Sequence, residues 1–153
     1  MTVRRPVIAA IALVALGVGL GVTASAQVKR PFHNGSVWNV QFIRVKPGME
    51  NAYLNYLASD WKRAQEAAKQ AGIIQDYKVL STESHGATDW NLLLMTQAKD
   101  LTSIEANEDK VDAMMQKVVG DDQKQMQGYK DRESMREPLG SRVAREVVLE
   151  PKP

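Results

Sequence analysis

The stretch VWNVQFIRVKPGMENAY, residues 37–53, runs from a dense apolar strand through a Pro-Gly corner into a helix. Alternation from Val37 to Val45 sets Trp38, Val40, Phe42 and Arg44 on one face and Val37, Asn39, Gln41, Ile43 and Val45 on the other. Bulk on both faces demands cover on both. Pro47 withdraws a backbone donor, and Gly48 supplies the backbone angles that turn the chain out of the strand. Beyond the corner, Met49, Tyr53, Tyr56, Leu57, Trp61, Ala64, Ala68 and Ala71 recur at steps that draw one stripe along a helix. Glu50 in its first turn and Gly72 just past its end suit the helix dipole and a C-cap. The alanines late in the stripe predict close approach to a sheet.

Working outward, IIQDYKVLST (73–82) and WNLLLMTQA (90–98) read as two strands joined by the turn-rich ESHGATD (83–89), a hairpin. LTSIEANEDKVDAMMQKVV (101–119) has apolar residues at broken helical spacing, and Gly120 ends it. A more polar helical stretch, DDQKQMQGYKDRESMRE (121–137), offers only Met126, Tyr129 and Met135 for burial and belongs on the surface. Pro138 and Gly140 break it, and SRVAREVVLE (141–150) alternates as a closing strand. The order strand, helix, strand, strand, helix, strand, with right-handed crossovers, predicts an α+β fold. It is a ferredoxin-like βαββαβ sandwich: a four-stranded antiparallel sheet, helices on one face, first and third strands central, and an extra polar helix before the last strand.

The N-terminus reads differently. Arg4 and Arg5 precede an uncharged apolar run from Val7 to Val22, followed by Ala24-Ser25-Ala26, the pattern of a secretory signal peptide cleaved after Ala26. The apolar run is too short and glycine-rich for a spanning helix, so no stable membrane anchor is expected after cleavage, and the destination is periplasmic or secreted. Residues 27–35 read as a flexible lead-in and residues 36–150 as the domain. Removing 26 of 153 residues leaves 127, enough for one ordinary core. Two of the 20 basic residues lie in the leader, leaving 18 against 18 acidic ones, so the mature chain is near neutral and its interspersed signs argue against nucleic acid as a partner. With no cysteine, packing rather than cross-links must stabilise the exported protein, and thiol chemistry and Fe–S clusters are excluded.

Helices on one face leave the other face of the sheet apolar. Leu92 and Leu94 point one way, Leu93 and Met95 the other, and a monomer rarely exposes so large a patch, so a second copy packed sheet to sheet is the economical cover. Leu93 and Met95 are candidate interface residues. Asn39 and Gln41, set among Val37 and Ile43, form with Tyr77, Trp90 and Arg145 the candidate lining of a small-molecule pocket between paired sheets. Arg145 interrupts the apolar face of the last strand and, if buried, needs a carboxylate or an anion. His85, in the hairpin turn, reads as a solvated residue, and Glu83, His85 and Asp89 have no metal-ligand spacing, so no metal and no cofactor are expected.

Element order, FIRVKPGMENAY at the first strand-to-helix turn and the returning strand AREVVL resemble the dimeric α/β-barrel superfamily over residues 36–150. That superfamily includes antibiotic-biosynthesis-monooxygenase-like, NIPSNAP-like and stress-responsive barrel proteins. The resemblance implies a homodimer. Its haem-degrading branch combines an Asn on the first strand, a Trp on a later sheet element and a haem-ligating His on the second helix. Asn39 and Trp90 could fill the first two places, but the only histidines are His33 and His85, so the third is empty. The resulting expectation is a ligand-binding or structural homodimer of unassigned reaction, holding a small apolar molecule. The alternative is a cofactor-independent monooxygenase-like enzyme using the same cavity on a small aromatic or apolar substrate.

Overall fold

The computed structural model describes residues 30–83 and 86–151. The segment expected to be a signal peptide and His85 lie outside the described residues. The chain builds β1 (Phe32–Val45), α1 (Glu50–Tyr56), a π-helical turn (Leu57–Trp61), α2 (Lys62–Gln70), β2 (Asp76–Ser81), β3 (Leu92–Ala98), α3 (Leu101–Ala106), α4 (Glu108–Val118), α5 (Asp122–Glu133) and β4 (Arg136–Leu149). The strands form one antiparallel sheet in the order β2-β3-β1-β4, the ferredoxin-like arrangement with β1 and β3 central.

Alternation along β1 is borne out. Ile43 and Val45 join Leu92, Leu94, Tyr53 and Leu57 in the core under the helices, so the odd-numbered face of β1 is the helix-facing one. Tyr53 and Ile43 are wholly buried. The corner between β1 and α1 is short because Lys46 accepts a bond from the Met49 amide and Gly48 sits at φ 80°, where a side chain would be strained. Gly72, at φ 68°, ends α2 in the same way. Asp100 caps α3 reciprocally with Ser103, and Asp121 accepts the Lys124 amide at 2.9 Å to start α5.

β2 and β3 are shorter than the expected 73–82 and 90–98, and two larger departures from the expected boundaries lie in β1 and β4. The lead-in does not run to residue 35, because Phe32, His33 and Asn34 already pair with Leu149, Val148 and Val147 as a two-stranded extension beyond the end of β3. Gly35 sits at a register shift where an added Cβ would lie 2.9–3.1 Å from Glu146 and Val148, so the close approach of the two strands needs glycine. At the other end, β4 begins at Arg136 rather than Ser141. Pro138 and Gly140 do not break it, because β4 is an edge strand that can spare a donor and a second register shift absorbs Leu139.

On the opposite face Trp38, Val40, Phe42, Leu80, Leu93 and Met95 share one side of the sheet; Val40 is buried, Leu80 is exposed and the others are half-buried. Lys78 lies over the Trp38 ring at 5.1 Å, and Phe42 meets Trp90 edge to face at 5.6 Å. Among the described residues, no helix is long and apolar enough to cross a membrane.

Because Ile43 fills the centre of the helix-facing core, Ile43→Ala should lower unfolding free energy by about 2–5 kcal/mol through lost burial and a residual cavity. Urea denaturation followed by circular dichroism checks this. A loss below about 1 kcal/mol would show that the site collapses around the smaller side chain.

Candidate functional site

Helices α1 and α2 run into one another through a π-helical turn from Leu57 to Trp61, without a break in the helical backbone. The Ser59 hydroxyl donates to the Asn55 carbonyl at 2.8 Å, a local bond that competes with the helix ladder. The wider turn carries Asp60 and Trp61 to the edge of a cleft, and such turns recur at functional sites.

That cleft, of about 1120 Å³, lies between the sheet and the helical layer. Gln41 and Leu94 form its floor. Tyr53, Tyr56, Trp61 and Ala64 wall one side, Met115 and Val119 another, and α5 with Met126, Tyr129 and Arg132 a third, while Met135 and Arg136 close the end where β4 begins. It exists because the second half of the helical layer is thinly packed: α3, α4 and α5 contain no buried residue, consistent with the polar composition of residues 121–137.

Cations and rings alternate along the wall. Arg136 lies 5.7 Å from the Tyr53 ring centroid, Tyr53 stacks with Tyr56 at 5.8 Å, and Arg132 lies 5.1 Å from Tyr56 and 5.9 Å from Tyr129. The Tyr53 hydroxyl and Arg136 Nε are buried without a hydrogen-bond partner among the described residues. Burial pushes the Tyr53 phenol up to about 12, outweighing the nearby arginine charges, and raises Tyr56 for the same reason. Tyr53 therefore stays neutral at physiological pH, a donor rather than a base.

The residues predicted for a pocket are divided by the structure. Gln41 is on the cleft floor. Asn39 lies on the same helix-facing side, with its Oδ1 buried and unpartnered, but does not line the cleft. Tyr77 is also on the helix side, edge to face with Trp61 at 5.3 Å and donating to Glu66, a bond that raises its own pKa. Trp90 is on the opposite, open face with Phe42. Arg145 is solvent-exposed on edge strand β4, so the buried guanidinium that would require a counter-ion is not realised. The polar pair Asn39 and Gln41 thus lies under the helices, and a pocket between paired sheets does not include it. Leu93 and Met95 do share the open face, and Leu92 and Leu94 the helix-facing core. Among the described residues no cluster of His, Asp and Glu is arranged to hold a metal ion.

The sequence pattern sets Tyr53, Tyr56 and Trp61 on the helix stripe as core and does not single out Arg132 or Arg136. The available signal was the pair of basic residues four apart at the end of a polar helix, facing an aromatic stripe.

No protein-family model matches the chain, and no curated protein matches it. Among solved structures, it is similar to a NIPSNAP family protein of unknown function from Agrobacterium tumefaciens, with 13% identity and a TM-score of 0.49 over 79% of this chain and 95% of that one.

Removing the unpartnered hydroxyl in Tyr53→Phe should leave the melting temperature at neutral pH unchanged or raised, since no bond is lost. The alkaline limb should also change. A phenol raised in the folded state contributes stability that is whole below its ordinary value of 10.0 and is lost as pH rises through about 12. Denaturation from pH 9 to 12 should therefore show a steeper loss in the parent than in the variant; identical slopes would mean Tyr53 ionises freely in the fold.

Proposed function

We propose that this chain is an exported, dimeric α/β-barrel-type protein that binds a small, mostly apolar molecule in the cleft beneath its helices. The observation that carries the reading is the cleft itself, in which an aromatic and apolar wall of Tyr53, Tyr56, Trp61, Leu94, Met115 and Val119 faces a rim of charged and amide side chains, a mixture that can hold an apolar body and a polar handle. Its volume of about 1120 Å³ suits a ligand of several rings. The sequence pattern of a signal peptide supports export.

Binding is favoured over monooxygenase-like chemistry by the electrostatics of the wall. A cofactor-independent oxygenase needs a group that ionises its substrate, and Tyr53, pushed up to about 12, holds its proton instead. Asp60, which borders the cleft, is exposed and paired with Arg63 at 2.8 Å.

The second copy belongs on the open face, where Trp38, Phe42, Leu93 and Met95 are half-buried and share one side of the sheet with the exposed Leu80. This places the dimer contact and the ligand on opposite sides of one sheet, so the two are separable.

Two outcomes follow. The neutral fluorophore N-phenyl-1-naphthylamine should bind with micromolar affinity, and Gln41→Trp, which fills the cleft from its floor, should weaken it by about tenfold or more while the far-ultraviolet circular dichroism stays unchanged. Equal binding by parent and variant would remove the cleft as the site. Separately, the parent should sediment as a dimer at micromolar concentration and Leu93→Asp as a monomer, because the interface would bury an unpaired charge. A monomeric parent would refute the dimer without touching the ligand reading.

A further inference from the structure

The charges around the cleft are sorted by depth. Of the acids that border it, Asp60, Asp122 and Asp131 are all exposed, Asp60 is paired with Arg63, and Asp131 accepts from Gln127 at 2.7 Å. Of the bases, Arg63 and Lys124 are exposed as well. Arg132 and Arg136 are different: both are half-buried, and neither has a carboxylate within ion-pair distance among the described residues.

Their contacts with tyrosine rings do not satisfy them. A guanidinium lying against a ring uses its flat face, whereas its five N–H donors lie in its plane and still require acceptors. Arg132 lies near both Tyr56 and Tyr129, and Arg136 near Tyr53, so both guanidinium groups are already gathered at the aromatic wall before any ligand arrives. The Nε of Arg136 is already buried without a partner, a cost that a bound anion accepting from the same guanidinium would offset. Arg132 and Arg136 are four residues apart across the junction of α5 and β4, and both border the same end of the cleft as Met135.

We propose that Arg132 and Arg136 make the cleft selective for a planar aromatic ligand bearing one anionic group, a carboxylate or sulfonate, whose rings lie against Tyr56 and Trp61 while the anion takes the arginine N–H groups. This rests on the reading of the cleft as a ligand site and adds the chemical class of its occupant. Tyr53, neutral at physiological pH, contributes no opposing charge beneath the anion.

The test uses two fluorophores that differ by one sulfonate, 8-anilinonaphthalene-1-sulfonate and the neutral N-phenyl-1-naphthylamine. The parent should bind the sulfonate about tenfold or more tightly than the neutral probe, the size expected of hydrogen bonds to a charge. The Arg132→Gln/Arg136→Gln double variant should bring the two affinities within about threefold of each other by weakening the sulfonate alone. Arg132→Lys/Arg136→Lys, which keeps both charges, should retain most of the preference, and thermal melts establish that each variant is folded. Gln41→Trp should weaken both probes, whereas Leu80→Gln on the open face should weaken neither, which locates the binding in the cleft. A parent that binds both probes equally overturns the anion selectivity, and a preference that survives the double glutamine variant overturns its assignment to Arg132 and Arg136; either leaves the ligand site standing. A parent that binds neither probe overturns both.

Discussion

The structure depends on one constraint, a central strand that is apolar on both faces. β1 pairs with β3 on one side and β4 on the other, so its backbone is satisfied within the sheet and its side chains must find cover above and below. On the helix side that cover is local. The short Lys46–Met49 corner returns the chain so that Tyr53 and Leu57 land on Ile43 and Val45, a contact between residues about ten apart that costs little loop entropy. No such local solution exists on the other side, since β1, β2 and β3 all turn bulky residues outward and the chain has no further described element to lay across them.

What was legible in the sequence follows from the range of the interaction concerned. Period-two alternation in β1 and β3, the helical stripe from Met49 to Ala71 and the Gly48 and Gly72 stops are encoded within a few residues, and the fold assembled from them holds. Edges were harder. Pro138 and Gly140 look like breakers in isolation, yet on an edge strand a missing donor costs nothing, so β4 runs through them; Phe32–Asn34 become a strand only because β4 is long enough to reach them.

The site was the least legible part because it depends on which face is which. Alternation groups Asn39 and Gln41 correctly but gives no sign of whether helices or a second copy lie above them. The alternation also put Arg145 on the apolar side of β4 without showing that an edge strand leaves that side in water. Arg132 and Arg136 acquire meaning only once α5 and the start of β4 face the tyrosines of α1, a juxtaposition of segments some 80 residues apart. The π-helical turn was hidden too, since the stripe through Leu57 and Trp61 fits an ordinary helix and one extra residue per turn shifts it only slightly.

Division of labour between the two halves of the helical layer explains how a domain this small keeps both a core and a cleft. Helices α1 and α2 bury Tyr53, Leu57, Ala64 and Ala68 against the sheet, and that half supplies the cooperative stability. Helices α3, α4 and α5 hold no fully buried residue, and α4 and α5 border the cleft without filling it. Segments with few buried apolar contacts open at low free-energy cost, and α5 is such a segment. A ligand that bridges the arginine end of α5 to the aromatic wall of α1 would add the contacts that wall lacks. Under the proposed reading, binding and ordering of the outer layer would be one equilibrium, with the sheet and α1 as its fixed half.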